Sequence, residues 1–183
     1  MTVRDVDRER RAWVIDVAAL LREPGSRRKI EASGHLFDLA VSGSSIDDDA
    51  TVTAHALLES VSEGILVTAT ISAPWHGDCR RCLEPATGLV DVEVRELFSD
   101  DGADEAYPLG GELLDLAPMV QDACILELPL APLCSADCRG LCPECGANRN
   151  TEPCTCAPTG DPRWAVLATL SDSTSESGQE KNA

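Results

Sequence analysis

Thr51-Val52-Thr53-Ala54-His55-Ala56-Leu57-Leu58-Glu59, then Ile65-Leu66-Val67-Thr68-Ala69-Thr70-Ile71, then Gly88-Leu89-Val90-Asp91-Val92-Glu93-Val94-Arg95-Glu96-Leu97-Phe98 alternate apolar with polar residues or concentrate β-branched ones. That pattern marks half-buried strands. Ser62-Glu63-Gly64 is a turn, so the first two stretches make a hairpin. Cys79-Arg80-Arg81-Cys82 falls between the second and third, so an antiparallel meander presents a cysteine pair at one end. Towards the N-terminus, Trp13-Val14-Ile15-Asp16-Val17 reads as a strand. Pro24-Gly25 is a turn that places Arg22, Arg27, Arg28 and Lys29 on an exposed loop. Residues 42–50 form a polar, acidic linker. Towards the C-terminus, residues 99–111 read as a loop. Asp115 is positioned to cap a helix over about 116–127, with Pro118 in its first turn. Leu116, Val120, Ala123 and Cys124 fall on one buried face. Pro129 and Pro132 follow it.

These elements predict an α+β fold: an antiparallel β meander with a few helices and a C-terminal cysteine-rich zinc knuckle region. The expected divisions are a mobile arm at 1–11 and an α+β core at 12–132. A cysteine-rich segment with a short helix follows at 133–170, with Trp164 as its anchor, and a disordered tail at 171–183.

The 183 residues suit one domain, or one with a small appendage. Hydrophobic residues make up 43% and aromatics only 3%, so the core must be aliphatic. No apolar run nears the roughly 20 residues of a membrane helix. Residues 1–11 are charged, with no apolar stretch behind a basic start. The protein is therefore read as soluble and cytoplasmic, with no membrane partner. A net charge of −17 repels nucleic acid at long range and suits high solubility or a basic partner. Of 15 basic residues, all but Lys29 and Lys181 are arginine, and Arg4, Arg8, Arg10 and Arg11 mark the N-terminal arm. A guanidinium fork grips phosphate bidentately, which keeps a local RNA contact open.

Nine cysteines in short spacings, without a secretory signal, point to metal rather than disulfides. In Cys142-Pro143-Glu144-Cys145-Gly146, a CxxC turn converges two thiolates on one ion and the glycine permits tight geometry. The simplest arithmetic is two four-thiolate sites: Cys142, Cys145, Cys154 and Cys156, and Cys79, Cys82, Cys134 and Cys138. Cys124, on the helix face, is left over as a small buried apolar residue. A single site from Cys138, Cys142, Cys145 and one of Cys154 or Cys156 is the alternative. All-thiolate coordination suits Zn2+ first and iron second. A redox role for Cys79 and Cys82 is weaker, because a reactive CxxC usually opens a helix after a strand.

Other residues carry less. His35, His55 and His76 are scattered, although His76 is a minor option as a ligand near Cys79. Trp75 reads as structural before it reads as a base-stacking residue. No nucleophile elbow, phosphate loop or HExxH occurs. Asp47-Asp48-Asp49 and Asp100-Asp101 lack calcium-ligand spacing.

In order, these pieces resemble the YceD family, described as large ribosomal RNA subunit accumulation proteins. The resemblance rests on Leu21-Arg22-Glu23-Pro24-Gly25-Ser26, Cys79-Arg80-Arg81-Cys82-Leu83-Glu84-Pro85 and Asp115-Leu116-Ala117-Pro118. It continues through Ile125-Leu126-Glu127-Leu128-Pro129 and Cys138-Arg139-Gly140-Leu141-Cys142-Pro143-Glu144-Cys145-Gly146-Ala147-Asn148 to Asp161-Pro162-Arg163-Trp164-Ala165-Val166-Leu167. It spans about residues 12–170. It implies a role in large-subunit rRNA processing or accumulation, in bacteria and plastids, and no established catalysis. Members of the family vary in the cysteine-rich region. The expectation is a non-enzymatic bacterial ribosome-biogenesis factor with structural zinc, whose partner is the 23S rRNA precursor or the large ribosomal subunit. Arg27, Arg28, Arg80 and Arg81 are the candidate RNA contacts. The alternatives are an acidic adaptor or chaperone for a basic ribosomal protein and, behind it, a thiol oxidoreductase or nuclease.

Overall fold

A computed structural model describes residues 11–100, 106–157 and 163. The expected arm at 1–11, save Arg11, the C-terminal helix with Trp164 and the tail lie outside the described residues. The chain divides into two compact units, Met1–Cys138 and Arg139–Ala183, which are taken separately.

In the first unit the elements run β1 (Val14–Asp16), α1 (Ala18–Leu21), β2 (Arg27–Gly34), β3 (Ser44–Ser45), β4 (Val52–Val61), β5 (Gly64–Asp78), β6 (Pro85–Ser99), β7 (Tyr107–Pro108), β8 (Leu113–Asp115) and α2 (Ala117–Glu127). The main sheet has the order β2-β4-β5-β6-β7, with β3 beside the end of β5. The expected meander is its centre: β4, β5 and β6 pair antiparallel in chain order. β7 joins β6 in parallel, inside the stretch expected to be loop. β1 pairs with β8 as a separate two-stranded sheet, Val14 opposite Asp115. The fold is thus α+β, as the sequence pattern implies.

Alternation along the strands makes one face apolar. Val52, Ala54, Ala56 and Leu58 of β4 are buried, as are Ile65, Val67, Ala69, Ile71 and Ala73 of β5. The alanines leave room for α2, which lays Met119, Val120, Ala123 and Cys124 into the same core beside Trp13, Val17 and Leu20. The Asp115 carboxylate accepts the Ala117 N–H at 3.0 Å at the start of α2. Trp75 packs on this core with its ring over Gly88, a structural role.

The basic segment departs from expectation. The Pro24-Gly25 turn is present, but Arg27, Arg28 and Lys29 lie on β2 rather than on a loop. Arg27, Lys29 and Glu31 alternate there with Arg28, Ile30 and Ala32, so Arg27 and Lys29 occupy the solvent side of the strand and half-buried Arg28 the other.

Gly64 closes the β4–β5 turn at φ +145°, and a Cβ there would run into the Phe98 carbonyl oxygen. Gly64→Ala therefore loses about 3 kcal/mol of stability from backbone strain and overpacking together. Urea unfolding would read this, and a loss under about 1 kcal/mol would show that the turn relaxes.

Two candidate metal centres

The first centre joins two distant segments of the first unit. The β5–β6 turn carries Cys79 and Cys82, and the chain beyond α2 carries Cys134 and Cys138. The Cys79 N–H donates to the Glu84 carbonyl and the Leu83 N–H to the Cys79 carbonyl, each at 2.8 Å. The Arg80 N–H donates to the Pro132 carbonyl at 2.9 Å, which ties the turn to the second segment. The four sulfurs lie within 4.8 Å of one another. Cys79 Sγ is 3.7 Å from Cys138 Sγ, and Cys82 Sγ is 3.5 Å from Cys134 Sγ. Cys79, Cys82 and Cys138 are buried and Cys134 is exposed.

The second centre lies wholly in the second unit and repeats the same turn. The Cys142 N–H donates to the Ala147 carbonyl at 2.8 Å and the Gly146 N–H to the Cys142 carbonyl at 2.9 Å. An isolated bridge pairs Leu141 with Asn148, and the Arg139 N–H donates to the Asn150 side chain at 2.7 Å. Cys154 and Cys156 close the group within the same 4.8 Å limit. Cys154 Sγ lies 3.3 Å from Cys142 Sγ and 3.6 Å from Cys145 Sγ.

These separations decide what the groups can hold. A tetrahedral ion with roughly 2.3 Å metal–sulfur bonds spaces its sulfurs about 3.8 Å apart. Both groups are near that spacing, and all nine cysteines are free thiols. Each group offers four soft donors and no carboxylate, a set suited to a tetrahedral thiophilic ion.

Each centre also has one thiol primed for capture. Burial pushes the Cys79 thiol up, but the N–H groups of Cys134, Arg81 and Cys82 outweigh it and lower the thiol to about 6. The Cys145 N–H, with the Cys154 thiol and the Glu144 N–H, lowers Cys142 to about 6. The other thiols compensate. The Glu84 N–H favours the Cys82 thiolate, yet burial and the neighbouring thiols push it up to about 12. The Cys154 and Cys145 thiols push Cys156 up to about 12. Cys79 and Cys142 are therefore the thiols in their groups that ionise most readily, the form that binds a cation.

The structure brings together Cys79, Cys82, Cys134 and Cys138 in one group and Cys142, Cys145, Cys154 and Cys156 in another. Cys124 stays apart, buried in α2, where burial pushes its thiol up to about 11. His76 joins neither group; its Nε2 lies 2.8 Å from an Asp47 carboxylate oxygen and 3.2 Å from Ser45 Oγ. The arginines are separated. Arg27 pairs with Glu59 and Arg28 donates to the Asp16 carbonyl at 2.7 Å. Arg81 donates to the Cys138 carbonyl at 2.9 Å, while the exposed Arg80 side chain hydrogen-bonds no described residue.

Leu83 escaped the sequence reading. It stands where the second knuckle has Gly146 and takes the same left-handed conformation, at φ +62° against +73°. Only the spacing after the CxxC signals this, because the residue type does not. A left-handed leucine costs about 1–2 kcal/mol, and its side chain is 68% exposed. Leu83→Gly should therefore stabilise the protein, by about 0.5 kcal/mol after the added unfolded-chain entropy. A drop in denaturant midpoint would instead assign the leucine a packing role.

The comparisons with known proteins follow from this region. The family described as "Large ribosomal RNA subunit accumulation protein YceD" matches residues 67–171, a span that contains both cysteine groups. An uncharacterized protein of Mycobacterium tuberculosis is 39% identical over 85% of this chain and 80% of its own length. One of Mycobacterium leprae is 32% identical over 86% of this chain and 76% of its own. A chloroplastic large ribosomal RNA subunit accumulation protein homolog of Zea mays is 40% identical over 28% of this chain and 18% of its own. No solved structure matches the chain. No helix among the described residues is long and apolar enough to cross a membrane. With both knuckles and the helix between them inside the matched span, and mycobacterial relatives covering most of its length, the chain belongs to the YceD family.

Proposed function

We propose that this protein is a non-enzymatic, cytoplasmic ribosome-biogenesis factor that supports processing or accumulation of bacterial 23S rRNA, with one structural Zn2+ in each cysteine group. One observation carries the reading. The span matched by the family contains eight convergent cysteines and a knuckle that holds Arg80 out to solvent. The family description and the printed names of the plant relatives supply the rRNA connection. Zinc fits the donor sets and the spacing of the sulfurs.

Of the candidate RNA contacts, Arg80 is the foremost. Arg81 supports it by holding the Cys138 carbonyl, and Arg27 and Arg28 are engaged on β2. Arg80→Glu should weaken binding to a 23S precursor fragment about tenfold, with affinity falling as salt rises. Filter binding across a salt series tests this; salt-independent binding, or an unchanged affinity in the variant, removes the direct contact. The function itself is tested by deleting the gene and measuring the 23S to 16S ratio. An unchanged ratio and normal subunit profiles would overturn the reading.

A second reading is favoured by the net charge of −17: an acidic adaptor that holds a basic ribosomal protein without touching RNA. Co-purification of that protein after RNase treatment separates the two.

A further inference from the structure

β6 is a long strand with one side almost unused. Its ladder to β5 runs without a bulge from Ile65 opposite Phe98 to Asp78 opposite Pro85. On its other side the only described partner is β7, which reaches Phe98 and Ser99 alone. Residues 86–97 therefore point alternate N–H and C=O groups where no described strand takes them.

Natural sheets guard such edges with charged side chains, lysine above all, or with interior proline, a bulge or a short strand. Residues 86–97 contain neither lysine nor proline and their register has no bulge; their charges are Asp91, Glu93, Arg95 and Glu96, three acidic and one basic. Those charges disfavour an acidic neighbour more than a basic one. The opposite edge, β2, carries Arg27 and Lys29, and its Arg28 folds across to the Asp16 carbonyl. A long edge of the first kind takes a basic extended chain as an added strand.

The side chains define the chemistry of that chain. Asp91 and Glu93 are exposed on the outer face of β6. Val92 and Val94 are half-buried on the core face, against the hydrophobic cluster. A strand laid beside β6 sets its own alternate residues next to these two rows. Basic residues fit beside Asp91 and Glu93, and apolar ones beside Val92 and Val94. The exposed Leu89 and Arg95 flank Asp91 and Glu93 on the outer face, so the basic residues of the added strand are confined to the two positions between them.

We infer that β6 is a docking edge for an extended polypeptide segment in which Lys or Arg alternates with apolar residues. This deepens the adaptor reading, on which the choice of a basic partner rests. A second copy fits less well. Self-pairing about Glu93 sets Asp91 against Arg95, but it also sets Glu93 against itself and joins two chains of charge −17.

The test is hydrogen–deuterium exchange on the full chain, alone and with two synthetic peptides. One is a ten-residue alternating Lys-Val peptide. The other has the same charge but proline at two central valines. The expected result is slowed exchange at residues 86–97 with the first peptide only. The exposed double variant Asp91→Lys/Glu93→Lys should bind it about tenfold more weakly while keeping its own exchange pattern. Equal binding of both peptides without protection of β6 leaves an acidic adaptor and overturns the edge. No binding of either peptide overturns the edge and the adaptor reading together. Protection of β6 without peptide, with a doubled mass in solution, assigns the edge to a second copy and overturns the inference.

Discussion

If each cysteine group holds the proposed zinc, replacing Cys142 with serine is expected to halve the zinc content, from two ions per chain to one, and to unfold residues 139–157 while the first unit keeps its fold. The reason lies in how little of the second unit's described part is buried. Among residues 139–157, only Gly140 and Cys142 are buried. The segment is a series of turns held by backbone hydrogen bonds that water can replace, such as Arg149 N–H to the Gly140 carbonyl. With so little buried among the described residues to offset chain entropy, the proposed ion would supply the order of this segment. Structural zinc supplies about 10–16 kcal/mol in comparable small sites. A serine hydroxyl does not ionise at neutral pH and leaves a three-thiolate site. Elemental analysis should therefore find one zinc. Amide exchange at Cys142, Gly146 and Arg149 should rise to unprotected rates, and β4–β6 should be unchanged. Persistent protection of those amides after metal loss would mean that the turns are self-sufficient.

The difference between that unit and the sheet also explains what could be read from the residues alone. The strands β4–β6 were legible because alternation reports burial directly. The far end of β5 was not. Pro74, Trp75 and Gly77 break the pattern there, yet the strand continues to Asp78. Pro74 falls between the last β4 pair at Ser72 and the first β3 pair at His76, so its missing N–H interrupts no ladder on that side. The β1–β8 pair joins residues far apart in the chain and leaves no local signal. The Arg27–Lys29 segment misled because the Pro24-Gly25 turn was extended into a loop, whereas β2 begins at Arg27, with Arg27 and Lys29 on its exposed face and Arg28 on the side of Ile30 and Ala32. The eight cysteines were legible as types and spacings. Their convergence into two groups was not decided by spacing, since a single site from Cys138, Cys142 and Cys145 satisfied it equally. Topology decides it: the β5–β6 turn and the chain after α2 meet, and this places Cys134 and Cys138 with Cys79 and Cys82.

The consequence of that topology is the largest stability effect expected in the first unit. Cys82→Ala should remove the first zinc and lower the stability of the sheet itself, unlike Cys142→Ser. A zinc held there would cross-link segments 52 residues apart, Cys82 to Cys134. By the loop-closure argument used for disulfides, a link of that span restricts the unfolded chain by about 4 kcal/mol. Domains of this size have roughly 5–15 kcal/mol in all, so the loss is a large share. The melting temperature should fall by roughly 10–20 °C. Buried Cys79 and Cys138 would also become reactive to thiol reagents, because a three-thiolate remnant holds zinc poorly. Leu83→Gly on the same knuckle supplies the control, since it keeps all four ligands. Thermal unfolding followed by far-UV circular dichroism, with zinc measured on the same samples, reads both outcomes. Zinc loss with an unchanged melting temperature would show that the sheet and α2 hold residues 132–138 in place by packing alone. The Arg80 N–H to Pro132 carbonyl bond, rather than the metal, would then be what positions the Arg80 turn.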